Sequence, residues 1–126
     1  MVWDRLQAAW HRFRRPRRRI MLEVTPEEQL VLQFLFRYGA GSEEDLVQEV
    51  AAHRWTHPHS VRTSLLNLRL KGLVSSAGHD PVRGARYRPT ERSCQLRDLL
   101  PDHPTSSLVV YLTVTVDPPA RTPPER

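Results

Sequence analysis

The chain of 126 residues has one cysteine, one lysine and five glycines. A lone Cys94 excludes an internal disulfide framework and a CxxC zinc site, and it suits a reducing compartment. The sequence has no glycine-rich phosphate loop and no nucleophile elbow. Ser64, His79-Asp80 and Asp102-His103 make no catalytic set, so no enzyme is expected. No apolar run approaches the roughly 18 residues of a spanning helix. Near-absence of lysine leaves the positive charge to 18 arginines beside Lys71. Arginine stays charged everywhere and grips phosphate through a planar fork. Eleven prolines sit mostly near the ends and a hydrophobic fraction of 39% is modest. What remains supports one small domain with tails.

Acidic and basic residues are unevenly spread. The net charge of +5 and pI near 10.3 hide two basic stretches around an acidic one. Residues 1–19 carry net +6, 20–53 net −6, 54–92 net +6 and 93–126 net −1. Such asymmetry points to a surface that faces a polyanion.

Residues 1–19 lack the apolar core and cleavage site of a secretory signal. Trp3, Leu6, Trp10 and Phe13 make a helical stripe with Arg5, Arg12, Arg14 and Arg15 off it. This basic amphipathic arm fits docking on the domain or a partner copy, lying on DNA, or a membrane surface. Ile20 to Val24 reads as a strand. Thr25-Pro26-Glu27-Glu28 opens a first helix to about Tyr38 through a capping box. Its predicted apolar face is Leu30, Val31, Phe34, Leu35 and Tyr38. Ser42 caps a second helix, whose face is Leu46, Val47, Val50 and Ala51. A third spans about His59 to Lys71 over Val61, Leu65 and Leu68, with Leu66 and Leu70 off that stripe. Residues 73–77 and 85–88 form a hairpin with a long tip over 78–84. A short fourth helix covers Glu91 to Leu100. Residues 107–116 alternate apolar and polar, which makes the strongest strand signal. Their only available partner is 20–24, in the same chain or a second copy. Residues 118–126 are proline-rich and are expected to be disordered.

The stretch Val61, Leu65, Leu68, Lys71, Gly72, Leu73 and Val74 runs a helix straight into a hairpin. Arg86-Tyr87-Arg88-Pro89-Thr90-Glu91 then supplies a return strand followed by a cap. Over about residues 25–100 this resembles winged helix-turn-helix regulators of the MarR, PadR and penicillinase-repressor kind. The resemblance implies an α+β winged helix-turn-helix: three helices, a wing and a short fourth helix, here with an additional C-terminal strand. The wing would be residues 73–89, within a domain over 20–104 followed by a strand at 105–117. Family members usually dimerise through long terminal helices. This chain departs from that pattern, because its last segment is a Val/Thr strand.

A helix that enters the major groove needs short polar residues and arginine opposite its core stripe. His59, Ser60, Thr63 and Asn67 occupy that side, with Arg62 flanking and Lys71 at the helix end. The hairpin adds Arg86 and Arg88 on one face and Arg83 at the tip, suited to phosphate or a minor groove. These nine residues are the candidate DNA-binding set. His53, His57 and His59 lie close in sequence, but Pro58 disrupts metal-binding spacing, and ordinary loop histidines are expected. Cys94 has no neighbouring base and is expected to be idle. No cofactor, metal or small-molecule effector is evident. The expected protein is a cytoplasmic, nucleoid-associated transcriptional regulator that binds double-stranded DNA as a homodimer and occludes a promoter. The second reading is a winged-helix adaptor that binds protein, held near a membrane or nucleoprotein complex by residues 1–19. Exposed Leu66 and Leu70 would fit that adaptor.

Overall fold

The computed structural model describes residues 17–54 and 57–115. Residues 21–112 make one compact unit, and the described stretches 17–20 and 113–115 fall in a second. The order is β1 (Arg17–Val24), α1 (Pro26–Tyr38), β2 (Gly41–Ser42), α2 (Glu43–Arg54), α3 (Pro58–Leu70), β3 (Val74–Asp80), β4 (Gly84–Pro89), a 3-10 turn (Arg92–Leu96) and β5 (Leu108–Thr115).

Helix α1 starts where its residues direct. The Thr25 hydroxyl accepts from the Glu28 N–H and a Glu28 carboxylate oxygen accepts from the Thr25 N–H, both at 3.2 Å. Two of the orphan donors of the first turn are thereby satisfied. The buried face differs from the predicted one. Val31, Leu32 and Leu35 are fully buried, together with Glu28 and Gln29, whereas Tyr38 is 60% exposed. The apolar periodicity misplaced the face because two polar residues point inward. Each has polar partners, Gln29 through its amide nitrogen alone. Gln29 Nε2 donates to the carbonyls of Val24 at 3.0 Å and Ser106 at 2.9 Å. Both segments that carry the terminal strands are thus fastened to the core helix.

The core is built from Val31, Leu32 and Leu35 of α1, Leu46, Val47 and Val50 of α2, and Val61, Leu65 and Leu68 of α3. Leu73, Val74, Tyr87 and Leu96 close it. A three-stranded antiparallel sheet in the order β2-β4-β3 flanks the helices. Gly41 pairs with Tyr87 and Ser42 with Arg86. A Cβ on Gly41 would meet the Phe34 ring at 2.8 Å, so only glycine lets this short strand lie against α1.

The hairpin is longer and tighter than predicted. Its strands reach Asp80 and Gly84, so residues 81–83 alone form the tip. A register shift between Ser76 and His79 absorbs the extra length, and Gly78 sits within it at φ +100°. Bulges of this kind commonly need a residue free of Cβ strain.

The fourth helix is corrected to a five-residue 3-10 turn. Only Leu96 of its apolar residues is buried, and Leu99 is exposed. One anchor provides no face on which an α-helix could dock, and Pro101 and Pro104 block its extension.

Strand β5 pairs with β1 within the chain, in a two-stranded sheet. Its burial alternates, with Val110 and Leu112 inward and Val109 and Tyr111 outward. Strand β1 begins at Arg17 rather than Ile20, so three arginines assigned to the arm belong to a strand. The remainder of the arm, residues 1–16, and the proline-rich tail lie outside the described residues.

Candidate nucleic-acid interface

The sequence around His57-Pro58 stops one helix and starts the next. The His57 ring nitrogen Nδ1 accepts from the His59 N–H at 3.1 Å, and Pro58 takes the first helical position, where no N–H is needed. His53 pairs with Glu49 one turn back on α2, 3.3 Å away. Among the described residues, no three His, Cys, Asp or Glu side chains gather as a metal site. Exposed Cys94 sits on the 3-10 turn with its thiol 3.6 Å from the Thr90 carbonyl.

Helix α3 buries Val61, Ser64, Leu65 and Leu68. Its opposite side presents His59, Arg62, Thr63 and Asn67 to solvent, with Ser60 half-buried at the margin. Ser64 donates to Glu27 at 3.0 Å, tying α3 to the first turn of α1. A shallow groove of about 370 Å³ runs beside that contact, lined by Pro26, Glu27, Ser60 and Asn67 among others.

At its end, α3 turns into the wing through Gly72, at φ +75°. A Cβ there would meet the Arg92 guanidinium at 2.7 Å. The same guanidinium donates to the Lys71 carbonyl at 3.0 Å, and the Thr90 hydroxyl donates to the Gly72 carbonyl at 2.6 Å. These bonds tie the end of α3 to the residues that follow the wing.

On the wing, Arg86 and Arg88 flank buried Tyr87, so both leave the same side of β4 and both are exposed. Arg83 stands at the tip. The Asp80 carboxylate accepts from the Val82 N–H at 2.8 Å and the Arg83 N–H at 3.0 Å. Those two bonds, then the charges of Arg86 and Arg83, hold the carboxyl below its usual range. The tip is thereby built around a stable anion.

Two arginines of the candidate set face acids of α2. Arg62 Nε lies 3.1 Å from Glu43, and Arg83 pairs with Asp45. Both pairs are exposed and open to exchange.

Lys71 of the candidate set is held by groups of its own domain. Its ammonium lies 2.9 and 2.8 Å from the two carboxylate oxygens of Glu28 and 2.6 Å from the Glu23 carbonyl. Glu28 is 1% exposed. A buried carboxylate needs a cation beside it, and Lys71 at the start of the helix-to-wing turn supplies one. Arg69, outside the candidate set, is exposed on α3 with its guanidinium 6.0 Å from the centre of the Tyr87 ring. Its wheel position beside Arg62 was the available signal.

No family model matches the sequence, and no curated protein matches it. Among solved structures, BpsR of Bordetella bronchiseptica superposes with a TM-score of 0.51 at 22% identity, over 79% of this chain and 70% of that one. The fold is a winged helix-turn-helix. YusO of Bacillus subtilis has a TM-score of 0.49 at 19% identity, with the same shares of 79% and 70%. The DNA binding of BpsR is regulated by 6-hydroxynicotinic acid. Within this winged helix, α2 and α3 form the helix-turn-helix and β3-β4 the wing. No helix among the described residues is long and apolar enough to cross a membrane.

Proposed function

We infer that this winged helix binds double-stranded DNA and regulates transcription, with α3 in the major groove and the wing on the backbone. One observation carries the reading. The exposed side of α3 bears Asn67, Thr63 and Arg62, and exposed Arg69, Arg83, Arg86 and Arg88 stand on the helix and the wing. Asn pairs with adenine and Arg with guanine through two hydrogen bonds each, whereas wing arginines suit phosphate. His59 and Ser60 lie at the helix start, where groove-reading helices approach base edges. Regulation by promoter occlusion needs no catalytic residue. Dimerisation would double the short site that one module reads, and a DNA-bound regulator would reside with the nucleoid.

The test is a mobility shift at low salt, first with random duplex and then with a site selected from a random pool. Asn67→Ala and Arg62→Ala should each cost about 1–3 kcal/mol on the selected site and little on random duplex. Arg86→Ala and Arg88→Ala should weaken both to a similar degree. Equal losses for all four on both duplexes would show that α3 does not read bases.

The acid pairs make a further expectation. Glu43 holds the Arg62 guanidinium that phosphate or base must take over. Glu43→Gln should tighten binding to the selected site about two- to fivefold, the size of an exposed ion pair. An unchanged or weaker affinity would show that Glu43 positions Arg62 rather than competing for it.

The adaptor reading is favoured by one feature, the exposed leucines Leu66 and Leu70. A protein that retards no duplex at low salt would make that reading the better one.

A further inference from the structure

Leu66 is 55% exposed and Leu70 77%. At 100° per residue, Thr63, Leu66 and Leu70 fall within about 60° of arc, opposite the buried stripe. The Thr63 hydroxyl donates to the His59 carbonyl, 3.0 Å away on the preceding turn. Its one proton is committed to the backbone, which leaves the methyl and the acceptor lone pairs of the oxygen for a partner. A strip of three aliphatic groups therefore runs along the middle of the outward face. Asn67 borders it on one side, and Arg62 and Arg69 on the other.

Two kinds of surface would cover such a strip: an apolar protein surface, or the 5-methyl groups of thymine on the floor of the major groove. Charge decides between them. Helix α3 contains no Asp or Glu, and its exposed charged residues are the arginines Arg62 and Arg69. The wing that follows adds Arg86 and Arg88, also exposed. A partner that presents apolar groups between rows of negative charge matches this arrangement. Duplex DNA does so, with thymine methyls between phosphate strands.

Resting on the DNA-binding reading above, we propose that Thr63 and Leu66 are specificity-determining residues that contact thymine methyl groups. Leu70 extends the strip at the end of the helix. The preferred site carries A·T pairs beneath the middle of α3, beside the positions that Asn67 and Arg62 read by hydrogen bonds.

The test uses the full chain and a duplex selected by it from a random pool. The duplex is made in two forms, one with thymine and one with uracil throughout, which keeps every hydrogen-bonding group and removes the methyls. The wild-type protein should bind the uracil form about fourfold more weakly for each methyl it buries. Leu66→Ala should bind the thymine form several-fold more weakly and lose most of the difference between the two forms. Arg88→Ala should weaken both forms and keep the difference. Because Leu66 is exposed, its replacement should leave the melting temperature unchanged. Equal wild-type affinity for the two forms, with salt-sensitive DNA binding intact, overturns this inference and leaves the DNA-binding reading standing. A thymine preference that survives in Leu66→Ala also overturns the role given to Leu66. Failure to bind either duplex at low salt overturns both readings.

Discussion

Raising the salt from 50 to 200 mM should weaken binding to random duplex about 10²- to 10⁴-fold. The cause is counterion release. Each phosphate neutralised by the protein returns a condensed cation to solution, which contributes about −0.9 to the slope of log K against log salt. Arg62, Arg69, Arg83, Arg86 and Arg88 are exposed on α3 and the wing. With the basic residues 1–19 assisting, roughly four to eight phosphates would be neutralised, for a slope of about −4 to −7. Titration of a labelled random duplex at four salt concentrations measures it. Arg86→Ala and Arg88→Ala should each make the slope shallower by about one. A slope near zero would remove the phosphate backbone as partner, and with it the role of the wing. Prior pairing of Arg62 with Glu43 and of Arg83 with Asp45 places the expected slope of the isolated winged helix toward the shallow end.

The largest effect on stability should come from a residue first assigned to DNA. Lys71→Met should destabilise the domain by about 3 kcal/mol, because it strands the Glu28 carboxylate in the core. For a domain of this size the melting temperature should fall by on the order of 10–20 °C. The magnitude follows from burial: Glu28 is 1% exposed while the Lys71 side chain is 24% exposed. Some water therefore reaches the ammonium, and the cost sits at the lower end for a broken buried pair. Glu28→Gln keeps an acceptor for the Thr25 N–H and should cost less. The double variant should cost less than the two single changes together. Thermal melting of the four proteins closes the cycle. Below its melting point, Lys71→Met should bind random duplex with the wild-type salt slope. A slope shallower by one would show that Lys71 also neutralises a phosphate.

Much of this architecture is legible locally. Thr25 and Glu28 mark a helix start by the reach of their side chains, wherever the helix later packs. Strict alternation over 107–116 marks a strand, and its need for a ladder partner pointed to 20–24, which β1 contains. The spacing of Val61, Leu65 and Leu68 defined the buried side of α3, and hence the polar residues opposite.

Other features depend on groups distant in sequence. The inward face of α1 was misjudged because burial of Glu28 and Gln29 is favourable only once Lys71, Val24 and Ser106 are beside them. Periodicity counts polarity along one helix and carries no information about such partners. The fourth helix failed for the converse reason: its leucines looked amphipathic, but packing offers a place to Leu96 alone. Lys71 is a cation by sequence, and only the position of a buried carboxylate turns it inward. Leu66 and Leu70 likewise stand out as leucines off the stripe, yet their exposure beside arginines is a property of the folded surface. Spacing along the chain decided which side chains share a face of an element. Tertiary structure decided which face is buried, because burial is a relation between elements whose charges and hydrogen bonds must be satisfied by one another.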